Sequence, residues 1–168
     1  AERVRRALPA DLSADTFVSV RFVEERSEAL SLRNGVLQPP STQLDVGAMV
    51  TVHEDGGLGY AATADLTESG LRAAVDRART WAKATASVAL FDSRTVPMPN
   101  PTGEYRTPTQ RPLDDVPVDE RIAFLHELAR CVGDDPRFVD WETSVFGVVV
   151  RTRYITNRGG DVTQELNH

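Results

Sequence analysis

An α+β fold, in which a mostly antiparallel sheet carries two amphipathic helices as a second layer, is what the 168-residue sequence predicts. Three observations point there. Stretches with an apolar residue at every second position stand at both ends of the chain. Between them lie two stretches whose apolar residues recur at spacings of four and three, the period of a helix with one buried face. The links between strand-like stretches are short, which suits antiparallel neighbours, since parallel ones need long crossovers.

Strands are expected over residues 16–63. From Thr16 to Phe22 the residues Val18, Val20 and Phe22 share one face and Phe17, Ser19 and Arg21 the other, the pattern of a half-buried strand. In "SEALSLRNGVLQ", Leu30 and Leu32 are in register and Asn34-Gly35 follows, a dipeptide suited to a two-residue hairpin turn in which both positions have positive φ. Pro39-Pro40 removes two backbone donors, and "TQLDVGAMVTVHE" then sets Leu44, Val46, Ala48, Val50 and Val52 on one side. "EDGG" at 54–57 turns the chain, and "LGYAATA" returns with small residues where another backbone can pass closely.

A helix is expected over 67–86, with Leu71, Val75, Ala78, Ala82 and Thr85 on its buried stripe. Its start offers two caps: Asp65, with Glu68 three residues on, or Thr67. Residues 96–117 hold six prolines, too many for a helix or a central strand, and read as a surface connection. A second helix is expected over 118–132, with Val118, Ile122, Leu125, Ala129 and Val132 on its stripe and Gly133 and Pro136 ending it. Residues 137–166 read as strands joined by a hairpin at Arg158-Gly159-Gly160.

Composition sets the outer limits. At this length one domain is expected, 1–168. The net charge of −6 and a pI near 5.1 argue against nucleic acid as a partner. Arg151 and Arg153 at period two read as an exposed strand face with salt bridges. No apolar run approaches the roughly 20 residues a membrane span needs, and the first 15 residues lack the apolar core of a secretory signal. A lone cysteine, Cys131, excludes an internal disulfide; with these signs a cytoplasmic home is expected.

"HELARC", residues 126–131, opens like a zinc-protease helix and does not complete it. In HExxH the histidines stand four residues apart and about 40° apart around the axis, so both can grip one ion. Here the fourth position is Arg130, a cation that repels Zn²⁺, and Cys131 is turned about 140° from His126. The wheel sets His126 beside Ile122 at the border of the apolar stripe, Glu127 within reach of Arg130, and Cys131 near Phe124 and Leu128 as a small buried thiol. His53 and His168 add no third ligand by local spacing. There is no GxSxG elbow, phosphate loop or GxGxxG, and the pairs Glu24-Glu25 and Asp114-Asp115 point apart along an extended chain. No catalytic, cofactor-binding or metal-binding residue is assigned.

The order and spacing of "VSVRFVEERSEALSLRNGVLQ", "DVGAMVTVHEDGGLGYAATADLTESGLRAAVDRA" and "YITNRGGDVTQE" resemble the N-terminal domain of the TldD/PmbA family, the modulators of DNA gyrase, from about Asp15 to the last residue. The hairpin at Asn34-Gly35, the return through Gly59-Tyr60-Ala61 and "TADLT" before the helix carry most of the likeness, and "GEYRTPTQRPLDDVPVDERI" looks closer to the TldD arm than to PmbA. The resemblance implies a cytoplasmic zinc metallopeptidase acting on unfolded peptides or peptide precursors, as a homodimer or a TldD/PmbA-type heterodimer. It places the zinc motif, HExxxH, in a catalytic domain beyond this chain, so zinc is expected there and no cofactor here. For these residues it implies a wall of the substrate channel, a dimer contact and an extended peptide as partner. Strand edges near Leu44–Val52 and Arg151–Thr156 would receive that peptide through main-chain hydrogen bonds. The alternative is a non-catalytic peptide- or protein-binding module.

Overall fold

The computed structural model describes residues 6, 8, 12–132 and 135–168. Strands β1 (Phe17–Arg33), β2 (Val36–Leu37), β3 (Ser41–Glu54) and β4 (Gly57–Thr63) come first, followed by helix α1 (Glu68–Ala86). Strand β5 (Thr102–Arg106), helix α2 (Val118–Ala129) and strands β6 (Glu142–Thr156) and β7 (Asp161–Asn167) complete the order. The sheet runs β4-β3-β1-β6-β7-β5, with β2 paired to β1. It is mostly antiparallel and carries both helices, as the periodicities predict. The exception is β5 against β7. Asp161 N–H donates to Pro101 C=O at one end and Thr107 N–H to Glu165 C=O at the other, a register that runs parallel.

The chain forms two compact units. The first (residues 1–24, 46–105 and 151–164) has its core between α1 and the inner halves of the strands. Val18 and Val20 from β1, Val50 and Val52 from β3, Ile155 from β6, and Leu71, Val75, Ala78 and Ala82 from α1 are buried together. Thr67 wins the contest to cap α1: its Oγ1 accepts from Gly70 N–H at 3.1 Å, while Asp65 accepts from the Thr67 N–H at 2.9 Å and so holds the cap in place. The second unit (residues 25–45, 106–150 and 165–168) has a smaller core, in which Leu125 of α2 meets Leu30 and Leu32 of β1 and Val145 of β6.

Both hairpin dipeptides behave as their chemistry requires. Asn34 and Gly35 take φ of 49° and 79°, and Asp55 and Gly56 take 55° and 85°. Asn34 adds side-chain bonds, accepting from Trp141 N–H and donating to Asp140, which also pairs with Arg33.

Some details differ from the sequence expectation. The segments read as separate strands at Thr16–Phe22 and around Leu30 are one strand, and Phe17 and Ser19 on its second face are also buried. The proline-rich segment contributes β5, an edge strand that runs between Pro101 and Pro108 and itself contains no proline. Helix α2 stops at Ala129: the N–H groups of Cys131 and Val132 bond three residues back, to Leu128 and Ala129, and tighten the chain out of the α-helix. Gly133, expected to end it, lies outside the described residues. The strand expected from residue 137 begins at Glu142. No helix among the described residues is long and apolar enough to cross a membrane.

Gly57 and Gly59 of β4 lie against the backbone of α1. A Cβ at Gly59 would stand 2.1 Å from the Ala78 carbonyl oxygen and 2.4 Å from the Ala82 nitrogen, so the helix can sit this low only over glycine. Gly59→Ala is expected to cost about 2 kcal/mol or more in urea unfolding, because neither backbone can retreat without unpacking the core. Ala62→Ser, at an exposed position on the same strand, is expected to stay within about 0.5 kcal/mol.

Candidate functional site

Two features of the described residues can take a ligand: open backbone at the sheet edge, and a cavity beside the Asp55-Gly56 turn.

The two-residue turn makes Glu54 and Gly57 partners, with Val52 opposite Gly59 and Val50 opposite Ala61. In an antiparallel ladder these pairs exchange hydrogen bonds, so the N–H and C=O groups of Leu58, Tyr60 and Ala62 face outward. Helix α1 closes much of that edge. Leu58 N–H donates to Thr85 Oγ1 at 3.1 Å, that hydroxyl donates back to Leu58 C=O at 2.8 Å, and Arg77 donates to Ala62 C=O at 3.2 Å. Strand β4 pairs with β3 only from Ala48 onward. Residues 41–45 of β3 therefore have β1 on one side and no strand on the other among the described residues, and all five are exposed. Following the alternation back along β3 turns the N–H of Leu44 to this open side.

The expected edges are corrected accordingly. Residues 151–156 lie in β6, flanked by β1 and β7, and residues 48–52 lie between β4 and β1; both are interior. Of the stretch named from Leu44, only the part before Ala48 is open. Which strand lies outermost is fixed by pairing between distant segments, to which local alternation is blind.

The cavity belongs to the first unit and encloses about 160 Å³. On β3, Val50, Val52 and Glu54 turn toward α1, and the pleat sends His53 to the opposite face. There its ring meets Phe17 edge-on, with centroids 5.9 Å apart, and the Arg158 guanidinium stands 5.6 Å from the Phe17 ring centroid. His53, Phe17, Arg158, Asp15, Asp55 and Arg94 line the space. Arg94 is neutralised by Asp92 at 2.6 Å; this bond raises its pKa, and the nearby charges of Asp15 and Asp55 add to that. Glu54, nearly buried, takes two hydrogen bonds from Arg79 at 2.8 and 2.9 Å and has Lys83 at 3.7 Å. The segment after α1 is pinned to the turn by Ser93, whose N–H donates to Gly56 C=O at 3.0 Å.

His53 Nδ1 is buried without a hydrogen-bond partner, and burial lowers the imidazole pKa. Sequence reading placed His53 only at a strand end. Its partners Phe17 and Arg158 stand in β1 and in the β6–β7 turn, so no local spacing signals the cavity.

The "HELARC" residues belong to the second unit. His126 and Glu127 are exposed on α2. Arg130 stands at the helix end and makes no ion pair with Glu127 among the described residues, because the regular i,i+3 geometry stops there. Cys131 is exposed, correcting the expectation of a buried thiol; Phe124 and Leu128, its expected cover, are themselves 50% and 37% exposed. Arg151 and Arg153 are exposed and paired with Glu24 and Asp161, as the period-two pattern predicts. Among the described residues no three His, Cys, Asp or Glu side chains converge, so the donors present do not fit a zinc ion.

The fold is shared by solved structures. A proposed modulator of a DNA gyrase from Thermotoga maritima matches with a TM-score of 0.74 at 18% identity, over 99% of this chain and 37% of its own. TldE from Thermococcus kodakarensis matches with a TM-score of 0.61 at 19% identity, over 90% of this chain and 34% of its own. A proposed modulator of DNA gyrase from Bacteroides thetaiotaomicron gives 0.68 at 15%, over 99% and 37%. The chain thus spans little more than a third of these proteins. No curated protein sequence matches it. Residues 18–82 match the model of PmbA/TldA metallopeptidase domain 1. This match makes residues 18–82 similar to the first domain of that metallopeptidase family, and the solved structures share the fold.

The half-buried imidazole gives a pH dependence of known sign. With its folded pKa below the ordinary 6.5, the unfolded chain binds the proton more readily, so stability falls as pH drops from 6.5 toward the folded pKa and levels off below it. The Glu28 carboxylate, held below 4.5 chiefly by its bond from Arg121, contributes stability that is lost only at more acid pH, as pH falls through its folded value. Urea unfolding between pH 7 and 5 should therefore show a decline that His53→Phe removes; an unchanged slope in the variant would refute the assignment.

Proposed function

We propose that these residues form the substrate-channel wall and a dimer contact of a cytoplasmic, TldD-like zinc metallopeptidase that hydrolyses unfolded peptides or peptide precursors. The observation that carries the reading is the open backbone of residues 41–45, in a chain whose residues 18–82 match the first domain of a metallopeptidase family. Main-chain pairing along a strand edge accepts varied sequences, because every peptide brings the same amides while its side chains only modulate the fit. The described residues offer no donor set for zinc, so this reading assigns the metal and its ligands to the remainder of the protein. It assigns the partner subunit, a second copy or a PmbA-type chain, to a contact shared with that remainder.

The natural full-length product is expected to hold stoichiometric zinc and to cleave an unstructured polypeptide. Leu44→Pro in that product removes one outward N–H while leaving the bonds of β3 to β1, and should raise KM several-fold with zinc content unchanged. A zinc-free, inactive product that still binds unfolded peptide would instead establish a binding module.

A further inference from the structure

Strand β5 closes the sheet at the end opposite β4, and no strand lies beyond it among the described residues. All five of its residues are exposed. The bonds from Asp161 N–H to Pro101 C=O and from Thr107 N–H to Glu165 C=O fix its register on β7. In a parallel ladder only alternate residues bond to a given neighbour, here residues 101, 103, 105 and 107. The N–H and C=O groups of Thr102, Glu104 and Arg106 therefore point away from the sheet. No described side chain answers them, in contrast to the outward groups of β4. Such an edge is commonly blunted by a lysine, a proline or a bulge; Pro101 and Pro108 bound this strand, but neither residue type stands within it. Its side chains carry a charge pattern instead. Glu104 and Arg106 share one face. Glu104 has no ion-pair partner among the described residues. Arg106 pairs with Glu165 at 2.8 Å and is still 67% exposed, and its guanidinium has donors enough for a second carboxylate. Tyr105, on the other face, is 51% exposed.

Taking up the dimer contact proposed above, we propose that β5 pairs antiparallel with β5 of a second copy of this chain across a two-fold axis. Residues that exchange hydrogen bonds across such a pair must both have outward groups, so even-numbered residues face even-numbered ones. Charge then decides among the registers. Glu104 opposite Glu104, or Arg106 opposite Arg106, sets like charges side by side, and Glu104 opposite Thr102 leaves every charge unanswered. Glu104 opposite Arg106 of the second copy, repeated on the other side of the axis, matches opposite charges at both places. The same register sets Tyr105 against Tyr105 of the second copy at the axis. That pair takes the closer, non-hydrogen-bonded spacing at which aromatic side chains pack across strands. The strand edge is thus complementary to itself in one register, and an isologous contact of this kind stops at two chains. The open edge of β3 lies at another place in the sheet and stays free for a peptide.

Sedimentation equilibrium of the full chain tests it. A reversible dimer is expected, with a dissociation constant on the order of 10–100 μM, because one short strand from each copy makes a smaller contact than a permanent interface. Glu104→Arg and Arg106→Glu each set like charges opposite one another and should weaken self-association about tenfold or more. Mixed in equal amounts, these two variants are complementary at both places and should associate about as tightly as the parent, a rescue that no contact within one chain provides. Glu104→Pro removes an outward N–H that β7 does not use and should weaken the dimer by a similar factor. Thermal melts confirm that each variant is folded. Three results would overturn the proposal: a chain that stays monomeric at about 1 mM, a dimer indifferent to Glu104→Arg, or a mixture of the two charge variants that stays monomeric. Association is read without zinc or substrate, so each of these strikes the edge pairing alone, and the zinc content and cleavage activity of the natural product still decide the peptidase reading.

Discussion

The low seat of α1 on β4 is the constraint from which most of the first unit follows. Gly57 and Gly59 bring two backbones within a distance that any side chain would prevent, and Ala78 and Ala82 keep the helix surface equally flat. This brings Leu71, Val75 and Ala78 down onto Val50 and Val52, so the buried core is aliphatic, with Phe22 packed at its border. It also puts Thr85 and Arg77 within reach of the outward-facing groups of β4. An exposed strand edge invites unwanted pairing, and here the core contact itself blunts it. The sheet is left open at residues 41–45, beyond the end of β4.

The Asp55-Gly56 turn organises the other face. Because the ladder closes at Glu54 and Gly57, the pleat gives neighbouring residues opposite fates: Glu54 goes inward to Arg79, and His53 goes outward to Phe17. A buried carboxylate is tolerable only with a partner of this quality, since an uncompensated charge in the same place costs several kcal/mol. The imidazole escapes that cost by staying neutral, and its polar atom is left without a protein bond. The same turn therefore produces, in adjacent residues, one fully answered polar group and one left without a protein partner.

The second unit is held differently. Leu125 is the one residue of α2 that is fully buried, and ion pairs surround the helix: Arg121 reaches Glu28 at 2.9 Å, Arg111 reaches Glu120 at 2.6 Å, and Arg26 joins Glu28 to Asp114. Most of these pairs are solvated and each contributes little, with Arg121–Glu28, the least exposed, carrying the most weight. Phe124 and Leu128 remain uncovered on the same helix. Apolar periodicity predicts the helix but overstates its stripe: Val118 belongs to the pattern and is 48% exposed.

How much was legible in the sequence follows from the range of each interaction. Turn chemistry is a property of two residues, so Asn34-Gly35 and Asp55-Gly56 announce their hairpins; helix period and capping act over one or two turns, so α1 could be outlined and its cap narrowed to Asp65 or Thr67. Small residues in "LGYAATA" even signal that a backbone passes close, though not that it is the helix which follows. Strand order is different in kind. That β6 is interior and residues 41–45 are open depends on β7 and β4 ending where they do, and alternation looks the same on an edge as beside two neighbours. The cavity is further out of reach, because Asp15 and Arg158 meet only when β1 and β6 are adjacent, and neither stands in a pattern that marks it. A lone histidine at a strand end is ordinary; only the fold shows that its Nδ1 is buried without a partner. Asp55 and Arg158 are legible in the sequence only as turn residues, and nothing local shows that the two turns border one hollow.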